Sequence, residues 1–380
     1  MLTNRRHQRS RRAKKAVLLG AGLFVGLQIL LLVVVEGWQP LYADPEYGYR
    51  LERLRVLRQK NPQRPSLVIL GSSRIGNGFD SDYSNSQCLA DTSTRSPTVA
   101  NLSLTGGTAV WQYLVLQRLI RQGLKPDSVI VEILPGSLLS DKQYFTSEFH
   151  FPTHRLRWGD TAALATIVPN QAPRHRWEWL QHNALFPWHA HRFSLLGLYA
   201  PAWQVESISP SSKPEFWRQT LSRTGWIAFP VAVPTPEQRR DAEAVAKQAY
   251  APVMSTLQVS TEAETTYREI FRCCRDHRIR IAAVLLMPES DVFRSWYSES
   301  GQQHVAKFTE AISKEFDIPV VDARTWIAAD QFWDGHHLLV SGARAFTTRV
   351  HTRLIQPRTT ESVAVPVDVL ATKPSLVPLR

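Results

Sequence analysis

One stretch limits the architectures open to this chain more than any other. Residues 16–35 (AVLLGAGLFVGLQILLLVVV) form a run of twenty residues in which Gln28 is the sole polar interruption. As a helix, twenty residues span about 30 Å, the thickness of a bilayer's hydrocarbon core. Ahead of it stand Arg5, Arg6, Arg9, Arg11, Arg12, Lys14 and Lys15, with no acid among the first fifteen residues. A basic cluster at one end of such a helix stays on the cytoplasmic side, so the rest of the chain is expected to face outward. A cleavable signal peptide is the rival reading. Leu41-Tyr42-Ala43 is a weak cleavage motif, and the apolar run is longer than a usual signal core, so an uncleaved single-pass anchor is expected. Gly22 and Gly26 fit a small-xxx-small pairing pattern, a weak signal because glycine is common in membrane helices.

This anchor accounts for most of a net charge of +12. Seven of the excess positive charges sit in the basic stub, leaving +5 across the remaining 365 residues. That is too dilute to define a nucleic-acid groove, and arginines flanking a membrane helix already serve topology and anionic headgroups. No nucleic-acid partner is therefore expected. With 380 residues the chain buries a large core without staples. Its three cysteines form no disulfide framework, and no Cys/His spacing fits structural zinc, so neither metal nor cofactor is expected.

Past the anchor, residues 36–65 read as a connector, with Leu51, Leu54 and Leu57 at helical spacing before Pro62 and Pro65. Short apolar runs at 66–70, 99–104, 128–134, 280–287 and 318–322 read as buried strands. Helices are expected at 109–122, 261–277, 302–316 and 341–354. Strand, glycine loop, helix, strand is the rhythm of a parallel sheet covered on both faces. Residues 140–260 break that rhythm and are rich in Trp, His, Arg and Pro, which suggests a helical insertion or lid. Residues 356–380 carry Pro357, Pro366, Pro374 and Pro378 and read as a loose tail. The expected division is thus a stub (1–15), a membrane helix (16–35), a connector (36–65), an α/β domain (66–355) with its insertion, and the tail.

Two loops carry chemistry. Gly71-Ser72-Ser73-Arg74 follows the first strand, and Asp334-Gly335-His336-His337 precedes the last helix. Acyl transfer through a nucleophile needs a hydroxyl, an imidazole to take its proton, and a carboxylate to fix the imidazole's tautomer. An Asp three residues before a His, on one turn, reaches the far ring nitrogen. Sites in parallel α/β sheets gather at the carboxyl ends of the strands, where Ser73 is expected. Gly106 offers a backbone N–H for a developing oxyanion.

These blocks resemble the SGNH/GDSL hydrolase superfamily, particularly its membrane-anchored extracytoplasmic branches, among them alginate O-acetyltransferases and the proteins that transfer D-alanine to teichoic acid. The resemblance covers roughly residues 66–136 and 279–355. It implies a three-layer α/β/α, flavodoxin-like sheet, with Ser73 as nucleophile, His337 as general base and Asp334 as its orienting acid. Ser72 stands where the family's Asp usually does, and Gly106 falls on the second block's glycine. The third block departs: Val131-Glu132-Ile133-Leu134-Pro135-Gly136-Ser137 lacks the family's oxyanion-binding Asn. The hole is then expected to rest on the Ser73 and Gly106 amides, helped by Arg74 or Asn101. Losing one donor costs about 100-fold or more in rate. The implied activity is a serine esterase or O-acyltransferase with an acyl donor and a carbohydrate or envelope-polymer acceptor; the alternative is an inactive scaffold that binds glycan or assembles with an envelope machine.

Plainer readings accompany each residue. Ser72 and Ser73 are also good turn or cap residues, and Asp334 is a good helix cap. His336 is expected to face solvent or pack, and Glu132 to pair with Arg74 or another base. His189-Ala190-His191 has metal-ligand spacing only on a strand, with no third ligand nearby. Trp158, Trp177, Trp179 and Trp188 either pack a lid or stack on sugars. Cys273 and Cys274 are expected buried and unpaired, with Cys88 able to pair only if the fold brings it close.

Overall fold

The computed structural model of the chain describes residues 2–37, 40–90, 96–138, 153–205, 207, 209–210 and 213–356. In chain order the elements are α1 (Leu2–Gly37), α2 (Pro40–Ala43), α3 (Pro45–Lys60), β1 (Ser66–Leu70), α4 (Ser73–Gly78), α5 (Ser81–Ala90), β2 (Thr98–Asn101), α6 (Ala109–Arg121) and β3 (Ser128–Ile133). The insertion contributes α7 (Trp158–Ile167), α8 (Ala172–Trp179), α9 (Pro187–Tyr199), α10 (Pro214–Thr220) and α11 (Pro236–Ser255). The sheet resumes after α12 (Thr261–Asp276) with β4 (Arg280–Leu286), α13 (Asp291–Arg294), α14 (Glu299–Phe316), β5 (Val320–Asp322) and α15 (Val340–Val350).

The five strands pair in the order β2-β1-β3-β4-β5, every pair parallel. That is the doubly wound order in which the chain reverses direction between β1 and β3, and ligands gather beside the strand ends there. Strand side chains alternate between two cores. Val68, Leu70, Val129, Val131 and Val284 face α3, α6, α12 and α14, while Leu67, Ile69, Val99, Ile130 and Leu285 face α4, α5 and α15. Both faces being covered, the strands read as continuous apolar runs, and the architecture is three-layer α/β/α.

The elements differ from the sequence expectation at their ends, for local reasons. Pro319 has no N–H, so pairing of the last strand begins at Val320 instead of residue 318. The second strand ends at Asn101, although Leu102 N–H and Leu104 N–H still donate to Ile69 O and Gly71 O at 2.9 Å each and keep the chain beside the end of β1. The final helix changes to a π turn over His351–Ile355. The expected tail from residue 357 on, and the start of the insertion at 140–152, lie outside the described residues.

Residues 36–65 are more than a connector. Tyr47, Leu51 and Leu54 of α3 are buried in the main core. Asp44 and Asp160, both buried, converge on Arg118, at 3.1 and 2.7 Å, and Asp44 also meets Arg155 at 2.9 Å. Removing one member of such a buried network costs about 3–5 kcal/mol, so these ions lock the insertion to the segment that follows α1. α1 itself holds one span, Arg12–Gly37, long and apolar enough to cross a membrane.

Candidate active site

The first loop is shaped by Glu132. Its side chain, fully buried on β3, accepts the Ser72 N–H at 2.5 Å and the Ser72 hydroxyl at 3.2 Å. Ser72 in turn caps α4, its Oγ accepting from Arg74 N–H at 3.2 Å. Ser73 is thereby the first residue of a helix, held at the carboxyl end of β1. Burial pushes the Glu132 carboxyl up from the usual range, only partly offset by the Arg74 guanidinium and the Ser72 donors. The turn Leu104–Gly107 closes on the same loop. A Cβ at Gly107 would lie 2.3 Å from Gly71 O, so only glycine fits this approach. Thr105 N–H donates to Glu46 Oε1 at 2.9 Å, which ties the Gly106 turn to α3.

The second loop is a hairpin tip. Trp333 N–H donates to His337 O at 2.9 Å, and Gly335 turns the chain at φ +90°. Asp334 Oδ1 accepts both the His336 N–H (3.1 Å) and the His337 N–H (2.8 Å). Its Oδ2 lies 2.7 Å from His337 Nδ1. Ser73 Oγ lies 2.9 Å from His337 Nε2, across 264 residues of sequence. Burial alone would raise the Asp334 carboxyl, but the facing His337 and His336 rings and the His337 amide hold it well below the usual carboxylate range. An ionised carboxylate only accepts, so His337 Nδ1 carries the ring proton and Nε2 is left to accept the Ser73 O–H. Hydroxyl, imidazole and carboxylate stand in the order that activates a nucleophile.

Arg74 and Asn101, expected to help an oxyanion, are directed elsewhere. Arg74 is buried, pairs with Glu289 at 3.2 Å and donates to Met287 O and Pro288 O at 3.2 and 2.9 Å. The sequence expectation pairs Glu132 with Arg74 or another base; the ion pair of Arg74 is with Glu289, and Glu132 takes the Ser72 donors. Asn101 spends its amide on Ile75 O and Phe79 O, at 3.0 and 3.2 Å, bracing α4. At the third block the chain makes a 3-10 turn, Pro135–Ser137, and Ser137 returns its hydroxyl to Leu134 O at 2.8 Å. The Ser73 N–H is one of the first amides of α4, which have no intrahelical partner.

His336 is buried rather than solvent-facing, at 3% exposure, with its ring centroid 4.8 Å from Tyr250, 4.9 Å from Phe293 and 4.2 Å from His337. Burial drives its pKa well down, so the neutral ring packs the underside of His337. Asp334, His336 and His337 bring donor atoms within 4.8 Å of one another, a set able to hold a metal ion. Two of its three groups are already joined to each other and to Ser73. His189 and His191 lie on α9, where residues two apart do not face each other; His189 is exposed and His191 buried. The strand geometry that their spacing needs is absent there.

Other side chains at the site escaped the sequence reading. Phe229 lies 6.3 Å from the His337 ring at 29° and 5.6 Å from the ring of Trp333. It arrives on a segment fastened to α4: Ile227 N–H donates to Gly76 O at 3.0 Å and Trp226 Nε1 to Asn77 O at 2.8 Å. Glu289, just past β4, had the one available signal, an acid directly after a strand-ending proline. Of the tryptophans singled out for packing or sugar stacking, Trp158 packs on Trp179 at 5.0 Å with the rings tilted by 56°, Trp188 lies against α1, and Trp177 is 58% exposed. Cys88, Cys273 and Cys274 are all buried.

No protein-family model matches the chain, and no curated protein sequence matches it. Among solved structures the chain is similar to a lipase/acylhydrolase from Enterococcus faecalis, at 12% identity and a TM-score of 0.30, with 78% of this chain and all of that chain covered.

Proposed function

We propose that the protein is a membrane-anchored serine esterase or O-acyltransferase of the SGNH type, acting outside the cytoplasm on an acylated carbohydrate or envelope polymer. The observation that carries this reading is the unbroken relay from Ser73 through His337 to Asp334, at 2.9 and 2.7 Å. In the first half-reaction Ser73 Oγ attacks the acyl carbonyl while His337 Nε2 takes its proton. The ester C–O bond breaks, and His337 returns the proton to the departing oxygen, leaving an acyl-Ser73 ester. In the second, an acceptor hydroxyl gives its proton to His337 and attacks the acyl carbon, and His337 then reprotonates Ser73. Asp334 keeps the imidazole in the productive tautomer and faces the imidazolium that forms. The Ser73 and Gly106 amides serve the oxyanion.

Water as acceptor makes the protein an esterase; a sugar hydroxyl makes it an acyltransferase. The half-exposed Phe229–Trp333 pair beside His337 favours a ring-bearing acceptor, because flat aromatic faces suit sugar rings. The basic residues at the start of α1, ahead of its apolar run, favour an outward-facing domain.

A fluorophosphonate probe tests the reading on the full chain in detergent. Labelling of the wild type that disappears in Ser73→Ala and falls sharply in His337→Ala supports it. A folded wild type that takes no label overturns it in favour of an inactive glycan-binding scaffold, the reading favoured by the Leu134-Pro135-Gly136 turn in place of an oxyanion-binding Asn.

A further inference from the structure

The insertion leaves an apolar tip exposed. Leu185, Phe186 and Trp188 flank the start of α9 with 59, 54 and 48% of their surfaces open. Soluble surfaces rarely gather such residues without a partner. Two contacts fix α9 against α1 and the short α2 that follows it. At one end Trp188 N–H donates to Gln28 Oε1 at 3.4 Å, and at the other the Tyr199 and Tyr42 hydroxyls meet at 2.6 Å. α9 therefore runs beside the outer end of α1, from the level of Gln28 to just beyond it. Gln28 lies seven residues inside the end of the apolar run, which places it about 10 Å below that end at 1.5 Å per residue.

Part of the backbone at the tip is satisfied within the protein, although His189 of the same turn is exposed. Pro187 has no N–H, Leu185 N–H is taken by Leu180 O at 3.0 Å, and the Trp188 N–H, which lacks an intrahelical acceptor, goes to Gln28. In hydrocarbon an unsatisfied N–H costs several kcal/mol, so the single polar residue of the apolar run has a physical use there. Higher up, Trp158 N–H donates to Glu36 Oε2 at 3.0 Å, which puts an exposed Trp, together with Tyr42 and Tyr199, where a membrane helix leaves the bilayer. Trp and Tyr concentrate at that level of a membrane.

We infer that the tip of the insertion, from Leu185 through the first turn of α9, is embedded in the outer leaflet of the membrane that holds α1, with Gln28 capping the embedded end. The inference rests on α1 being a retained anchor, which the insertion itself favours: Val35 is fully buried, and Ala43, at the weak cleavage motif, is buried beside the Asp44 ion network. The embedded depth, about 10 Å, matches that of interfacial helices. α1 and α9 then form a paired support that holds the catalytic domain at the bilayer surface instead of letting it swing on a single helix.

Spin labels test this on the full chain in vesicles of phosphatidylethanolamine and phosphatidylglycerol. Phe186→Cys, Leu23→Cys and Val233→Cys place labels at the tip, in the anchor and on an exposed loop of the domain; the three native cysteines are buried, and the unsubstituted chain is the blank. Relaxation by oxygen, which concentrates in lipid, is compared with relaxation by a water-soluble nickel chelate. Embedding predicts an oxygen-to-nickel ratio at 186 at least fivefold above that at 233 and close to that at 23. A ratio at 186 equal to that at 233, with 23 in lipid, overturns the embedded tip and leaves the anchor standing. A label at 186 screened from both reagents means that protein covers the tip, which also overturns it. If 23 too is water-exposed, the anchor reading falls with it.

Discussion

Asp334→Asn separates the proposed chemistry from mere packing, because every hydrogen bond it alters is defined. The carboxylate accepts two backbone N–H groups on Oδ1, from His336 at 3.1 Å and His337 at 2.8 Å, and faces His337 Nδ1 with Oδ2 at 2.7 Å. An asparagine that keeps the two backbone bonds on its carbonyl oxygen must turn its NH2 toward Nδ1. An NH2 only donates, so Nδ1 becomes the acceptor and the ring proton moves to Nε2, 2.9 Å from Ser73 Oγ. His337 then presents a proton where it should receive one. The ground state loses one charge-assisted bond in exchange for a neutral one, about 1–2 kcal/mol, and the fold survives. The transition state loses both the base and the charge facing the imidazolium, and the rate falls about 10⁴-fold, close to 5.5 kcal/mol at 1.36 kcal/mol per tenfold. The assay is hydrolysis of p-nitrophenyl acetate by the full chain, with fluorophosphonate labelling as a second readout and circular dichroism as the check on folding. A folded variant that keeps more than a tenth of the wild-type rate refutes the assignment of Asp334 as the group that orients His337.

Three further perturbations follow from the same contacts. Glu289→Ala leaves the buried Arg74 without its partner and should lower unfolding stability by about 3–5 kcal/mol in a urea titration, whereas the Arg74→Met/Glu289→Leu double variant should recover most of that loss. Glu132 has a raised pKa in the folded protein, so the stability it adds is complete below its unfolded value of about 4.3 and is lost as pH rises through the folded value. Glu132→Gln removes that titration, and its stability relative to wild type should climb between pH 4 and 8; a flat difference would contradict the assignment. Gly107→Ala puts a methyl 2.3 Å from Gly71 O and 2.7 Å from Leu104 O, so the loop carrying Ser73 must shift; a cost of about 1–3 kcal/mol and a fall of at least tenfold in esterase kcat are expected.

Much of this was legible because the relevant signals are local. Residues 66–70 and 128–134 read as strands since a parallel sheet buries both faces, and the turn from Asp334 to His337 is a three-residue spacing that one hairpin tip realises. The pairing of Ser73 with His337 was legible only through two loops taken together, each placed at a strand end by the doubly wound order. What could not be read were partners brought by tertiary packing. Arg74 looked free to serve an oxyanion until β4 delivered Glu289 and two carbonyls to it. Asn101 looked like a donor at a strand end, yet Ile75 O of α4 and Phe79 O just past it take its side-chain N–H groups.

The aromatic residues of the insertion show why composition alone could not assign it. Trp188 and Phe229 look alike as bulky rings in an irregular, proline-punctuated stretch. Trp188 stands in the first turn of a helix whose backbone is capped by Gln28 of α1, which commits it to the α1 side of the molecule. Phe229 follows a segment tied to Gly76 and Asn77 of α4, the helix that Ser73 begins, which commits it to the nucleophile's side. Neither commitment is written in the hydrophobicity of the residue. It is made by single backbone hydrogen bonds to elements more than a hundred positions away. A ring's role in this chain is thus set by which N–H or carbonyl its segment must satisfy. Stacking beside His337 therefore falls to Phe229, backed by Trp333, while Trp158 and Trp188 give their backbone N–H groups to Glu36 and Gln28 of α1.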